Sequence, residues 1–333
     1  MQSRKENRPS LMRTVWDNLT APTRRTGNNP WTGGRTYRHL VYASSSAAQW
    51  LNLYVPYASA PAPLLVLVHG GGFVMNDAES HQAQLFYRYF RDHGYACATV
   101  NYRLAGEATF PAAMEDVKAA LRFLGQQGKT YGYDPGRAAL WGESAGAYLA
   151  MMAAYTGAGE YTGQPCVGEK DPARFPPLPL RALVDFYGPG DVTAQPAQFA
   201  AAGVPEWLGR ISNGWLTRHT GAFASAEECW MGKPFAAWTP EDFDAFVPCR
   251  RVAARTCPHP GLRVLLLHGA ADLTVAPAQS VQLCRVLQKT YGPEAARLQM
   301  VPHCKHADDR LYAPAVLEGV AAFLQECLDN TRP

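Results

Sequence analysis

The spacing of apolar positions changes along the chain, and the changes divide it into parts. Residues 1–35 are polar, punctuated by Pro and Gly and weakly patterned, and are expected to form an N-terminal arm. "YRHLVYAS" (37–44) and "QWLNLYVP" (49–56) then alternate enough to predict an antiparallel strand pair. From Leu64 the period changes again. "LLVLVH" is apolar without interruption through Val68, which suits a strand buried on both faces of a parallel sheet. "ACATVNY", "AALWG", "RALVDFYG", "LRVLLLHG" and "ARLQMV" read the same way. Between and after them lie helical stretches: "HQAQLFYRYFRDHG" closed by Gly94, "AGAYLAMMAAY", "PAQSVQLCRVLQKTYG" and "PAVLEGVAAFLQECL". In "PAAMEDVKAALRFLG", Met114, Val117, Leu121 and Leu124 form one stripe, with Pro111 near the first position and Gly125 at the predicted end. Regular β-α alternation implies an α/β fold, a mostly parallel sheet flanked by helices, in residues 36–333.

The alternation stops between about Asp191 and His259, which reads as a cap-like, aromatic-rich insertion. Trp207, Trp215, Phe223, Trp230, Phe235, Trp238, Phe243 and Phe246 fall there. They are expected to form mostly a small core of the insertion's own, the other reading being a pocket for a bulky ester. Arg250, Arg251 and Arg255 are expected on an exposed basic face.

Composition narrows the classes. The chain has 333 residues, 47% hydrophobic and 18% charged, an ordinary globular balance, and a net charge of +3 too small to argue for nucleic acid. The N-terminal charges are followed by no apolar core of the kind a secretory signal carries, and no run reaches the roughly 18 apolar residues of a membrane span. Eight cysteines show no CxxC pair, so most are expected to be buried thiols of a cytoplasmic protein. Cys166, Cys229, Cys249 and Cys257 lie in loop-rich surroundings where a disulfide stays open.

Two stretches carry chemistry. Gly142-Glu143-Ser144-Ala145-Gly146 is a G-x-S-x-G between an apolar strand and an Ala-rich helix, the context of a strained turn that projects a serine hydroxyl. Such a serine needs a base and an orienting carboxylate, which in this architecture follow in the order Ser, Asp or Glu, His. Asp272, just past "LRVLLLHG", is the best acid, with Asp191 as runner-up. Only His303 and His306, in "VPHCKHADD", come after Asp272. His306 is preferred as base, with His303 expected to brace the turn. His268 is expected to stabilise its turn. The same loop makes a poor metal site, having no matching ligand cluster elsewhere. The second stretch, "HGGGF" (69–73), follows a parallel strand directly. Bare backbone there can point N–H groups at a developing oxyanion, which assigns Gly71 and Gly72 as donors with Ala145, and His69 as a brace.

Together "HGGGF", "NYRLAGEATFPAAMEDVKAALRFL", "DPGRAALWGESAGAYLAMMAA", "HGAADLTVAPAQS" and the late histidine loop resemble the α/β-hydrolase carboxylesterases. The nearest groups are the hormone-sensitive-lipase-like esterases and the feruloyl-esterase and acetylesterase branch. The resemblance covers roughly residues 45–330. Carried over by position, it implies Ser144 as nucleophile, Asp272 as acid, His306 as base and an oxyanion hole at Gly71, Gly72 and Ala145. It places Asp116 at a family position expected to fix structure. The family's usual glycine before the histidine is missing from "PHCKHADD". The expected activity is cofactor-independent hydrolysis of small to medium carboxylic esters, without nucleic acid or stable membrane partners and with a homodimer left open. The alternatives are a non-catalytic ligand-binding protein on the same fold and an acyl-peptide or aminopeptidase-like hydrolase.

Overall fold

The computed structural model describes residues 32–169, 178–208 and 214–329, so the N-terminal arm lies outside the described residues as far as residue 31. Strands β1 (Gly34–Val41) and β2 (Trp50–Pro56) pair antiparallel, as the alternation predicts. β2 then pairs antiparallel with β4 (Ala96–Val100). From β4 onward all neighbours are parallel, in the order β1-β2-β4-β3-β5-β6-β7-β8. Here β3 is Ala62–Val68, β5 Tyr133–Glu143, β6 Leu180–Phe186, β7 Arg263–Gly269 and β8 Ala296–Val301.

The unbroken apolar run of β3 is explained by its two covered faces. Leu64, Val66 and Val68 join one core with Met114, Val117, Leu149 and Leu283, while Leu65 and Leu67 join the other with Phe86, Phe90 and Phe323. A period of two thus stays invisible when both faces are dry. The second face is covered by helices α1 (His81–Asp92), capped by Ser80, and a C-terminal helix over Pro314–Asp329. The first is covered by α2 (Ala112–Tyr131), α3 (Ala145–Tyr155) and a helix over Ala278–Tyr291.

One boundary differs from expectation. Pro111 is the N-cap of α2 rather than its first residue, and the helix runs through Gly125 to Tyr131. A glycine inside a helix costs about 1 kcal/mol, which the burial of Leu121, Phe123 and Leu124 outweighs. The stop comes at Gly132, in the left-handed region at φ 90°. The insertion between β6 and β7 holds short helices: α4 (Gln195–Ala201), α5 (Gly214–Thr217), α6 (Ala226–Met231), α7 (Pro240–Phe246) and α8 (Pro248–Ala253). The two longer ones after it are α9 (Ala278–Tyr291) and α10 (Pro314–Asp329).

The expectation of a separate aromatic core in the insertion is corrected. Trp230 stacks on Phe73 with ring centroids 4.2 Å apart, Phe246 packs on Tyr148 at 5.0 Å, and Trp238 meets Phe246 at 4.7 Å. The insertion therefore shares the core beneath the glycine loop. Trp207 stays exposed, and the Trp215 side chain is outside the described part. Arg250 pairs with Asp244 on the surface, Arg255 is exposed, and half-buried Arg251 pairs with Glu160. All eight cysteines are free, seven of them buried. Among the described residues no helix is long and apolar enough to cross a membrane.

Asp116, fully buried on α2, accepts from Gln49 Nε2 at 2.6 Å, Arg103 N at 2.9 Å and Arg103 Nη2 at 2.7 Å. It ties the turn before β2 and the segment after β4 to the helix. Asp116→Ala leaves the Arg103 guanidinium without its buried partner and is expected to lower unfolding stability by about 3–5 kcal/mol in urea titrations. A loss below about 1 kcal/mol contradicts this structural role.

Candidate active site

Four loops meet at the carboxyl edge of the sheet, and the sharpest turn among them is the one between β5 and α3. Ser144 sits at φ 52°, ψ −123°, a strained conformation for a residue with a side chain. The turn needs a close approach of backbones on both sides. A Cβ on Gly142 would lie 2.3 Å from Gly146 O, and one on Gly146 would lie 2.1 Å from Val68 O. Ser144 N is held by Phe186 O at 2.8 Å, so the serine is pinned to the end of β6.

Around it the structure brings together the preferred residues. Ser144 Oγ lies 2.9 Å from His306 Nε2, and His306 Nδ1 lies 2.7 Å from Asp272 Oδ2. A carboxylate only accepts, so Nδ1 carries a proton and Nε2 is left to accept the serine's. Asp272 Oδ1 is held by the amides of Thr274 at 2.8 Å and Val275 at 2.9 Å. Burial pushes the Asp272 carboxyl up, but the neighbouring His306 and His268 outweigh it and hold the acid well below its ordinary range. His268 braces that acid: its Nε2 lies 3.2 Å from Asp272 Oδ2 and 3.1 Å from Val275 O, and Nδ1 faces Ser280 Oγ at 2.7 Å.

The competing candidates fall elsewhere. His303 is exposed, and only its carbonyl braces the loop by accepting from Arg310 Nη2 at 2.6 Å. Asp191 caps the turn before α4 by accepting from Thr193 N at 3.1 Å.

The glycine loop lies against the serine. Gly71 has φ 121° and its carbonyl accepts from Val74 N and Met75 N, both at 3.1 Å. A Cβ there would meet Met75 O at 2.1 Å, so only glycine allows the turn. The amides of Gly71, Gly72 and Ala145 find no acceptor among the described residues. Ala145 heads α3, where the first amides have no partner within the helix. His69 stacks on Tyr102 at 4.2 Å and its Nδ1 donates to Gly70 O at 2.8 Å; burial brings its pKa down to about 4, which suits a brace and not a base.

Sequence reasoning missed two features. Leu216 of α5 and Ala226 of α6 crowd the glycine loop, with Leu216 Cδ2 only 2.5 Å from where a Gly72 Cβ would stand. No local pattern marks such a contact. The other is Glu143, buried beside Ser144, whose Oε2 accepts from Tyr312 and, at 3.3 Å, from Tyr187. An acid ending the apolar run "AALWG" was the available signal.

A serine, a histidine and a carboxylate in hydrogen-bonded series beside three free amides can attack an acyl carbonyl and receive its oxyanion. The fold is that of the α/β-hydrolases: a truncated carbohydrate esterase from gut microbiota superposes with a TM-score of 0.73 over 91% of this chain and 100% of its own, at 21% identity. Esterase LipI of Mycobacterium tuberculosis is 40% identical over 99 residues, 28% of this chain and 29% of LipI. An ethyl acetate hydrolase of Pseudomonas putida is 36% identical over 107 residues, 31% of this chain and 33% of that protein. The chain thus spans about a third of the length of these curated relatives. The BD-FAE family model matches residues 51–287, both flanks of the serine turn and the acid loop included, and the chain belongs to the BD-FAE family.

Proposed function

We propose that the protein is a serine carboxylesterase that hydrolyses small to medium carboxylic esters through an acyl-enzyme. The observation that carries this reading is the unbroken series Ser144 Oγ, His306, Asp272, at 2.9 and 2.7 Å. The ester carbonyl oxygen points at the amides of Gly71, Gly72 and Ala145. Ser144 Oγ attacks the carbonyl carbon as its proton passes to His306 Nε2, and the buried Asp272 carboxylate stabilises the imidazolium. Collapse of the tetrahedral intermediate breaks the C–O bond to the alcohol, which leaves with the proton from Nε2. A water molecule then gives its proton to His306 and attacks the acyl carbon, releasing the acid and restoring the Ser144 hydroxyl. No cofactor takes part.

Short acyl chains suit the crowding of the glycine loop by Leu216 and Ala226, and the ethyl acetate hydrolase similarity points the same way. The insertion acts as the cap that supplies these contacts. Eight unbridged thiols support a reducing, cytoplasmic setting.

The reading is tested by hydrolysis of p-nitrophenyl acetate, butyrate and decanoate. Turnover is expected on the shorter two, with Ser144→Ala and His306→Ala each losing at least about a thousandfold in kcat. His303→Ala is expected to stay within about threefold, since its side chain is outside the series. Wild-type turnover no greater than that of Ser144→Ala overturns the reading. Gly71→Ala tests the oxyanion loop separately: displacing one donor is expected to lower kcat about a hundredfold. Unchanged kcat in that folded variant removes the loop from the mechanism.

A further inference from the structure

Glu143 is a buried acid at this edge of the sheet that the hydrolytic steps do not use, and its contacts join the parts that those steps require. It immediately precedes Ser144 in the chain. Its Oε1 accepts, at a long 3.4 Å, from the amide of Gly70, the first glycine of the loop that carries Gly71 and Gly72. That glycine packs tightly on the nucleophile: a Cβ there would stand 2.8 Å from Glu143 O and 3.1 Å from Ser144 Cβ. Oε2 accepts from the phenols of Tyr312 and Tyr187, which lie 2.9 Å from each other. Tyr312 follows the histidine loop, and Tyr187 lies directly after β6 with its ring edge-on to the His306 imidazole at 4.8 Å. Tyr187 itself takes φ 45°, strained for an aromatic residue, with its amide pinned to Leu267 O at 2.8 Å. One carboxyl therefore touches the oxyanion loop, the nucleophile turn, the ring behind the base and the flank of the base's own loop.

We infer that Glu143 is a positioning residue for ester hydrolysis, holding the oxyanion loop through Gly70 and the base through Tyr187. This rests on the esterase reading above. A plain packing role is a poor explanation for an acid that among the described residues has no lysine or arginine on it, because unpaired buried charge destabilises a fold. Burial raises its pKa to about 7, with the hydrogen bonds from Tyr312, Gly70 and Tyr187 pulling the other way. The titratable groups facing it are Tyr102, Tyr187 and Tyr312, with Asp272 and His306 beyond Tyr187. As a carboxylate it accepts from all three donors. Protonation removes the negative charge that strengthens these hydrogen bonds and loosens the ties, so catalysis falls on the acid side.

The experiment compares wild type, Glu143→Gln, Tyr187→Phe and Ser144→Ala on p-nitrophenyl acetate across pH 5–9, with thermal unfolding as the check on folding. Glu143→Gln is expected to fold, to lose about 10- to 100-fold in kcat through misplacement of the reacting groups, and to keep KM within about threefold. The acid limb of log kcat is expected to fall through two ionisations in wild type and through one in the variant. Tyr187→Phe keeps the ring on His306 and removes the hydroxyl; it is expected to lower kcat in the same direction, and it carries the test alone if Glu143→Gln does not fold. A folded Glu143→Gln with kcat within twofold of wild type, or with an unaltered acid limb, overturns the inference while the esterase reading stands. Wild type no more active than Ser144→Ala overturns both.

Discussion

The molecule is organised by the close approach of three backbones at Ser144. The serine adopts a strained turn only because Gly142 and Gly146 let the ends of β3, β5 and α3 come within contact distance. That approach needs central strands with dry faces on both sides, which the two separate cores provide. It also aligns the loops after β3, β7 and β8 on one edge, so groups from opposite ends of the chain, Gly70 and His306, meet at Ser144. Parallel sheets concentrate ligand-binding loops at that edge, and here the strain is held by the surrounding packing.

Asp272 and Glu143 are both buried close to this turn, and their surroundings drive them apart. Asp272 accepts from two amides and two imidazoles and stays ionised. Glu143 has no cation beside it among the described residues, and burial raises its carboxyl toward neutrality against the pull of its neutral donors. Both carboxyls are buried, and it is the neighbours that set opposite charge behaviour. The first suits lasting stabilisation of an imidazolium; the second suits a tie that loosens with acid.

Much of this was legible in the chain. The unbroken apolar run at Leu64–Val68 and the glycines around Ser144 are patterns a few residues long, and the strand-to-loop positions of Asp272 and His306 follow from chain order in this architecture. What escaped depends on contacts distant in sequence. Gly125 reads as a stop, yet tertiary burial carries α2 past it to Gly132. The aromatic insertion reads as a separate core, yet Trp230 stacks on Phe73 more than 150 positions earlier in the chain. Glu143 occupies the variable position of its motif, and only Tyr187 and Tyr312, brought in from later segments, reveal what surrounds it.

The central claim is that one serine is activated by one histidine. It is tested most directly by treating the intact protein with a fluorophosphonate and locating the adduct by peptide mass mapping. The account predicts a single phosphonyl group on Ser144, formed rapidly in wild type and not in His306→Ala. An adduct on another residue, or labelling of Ser144 that proceeds equally without His306, would contradict it.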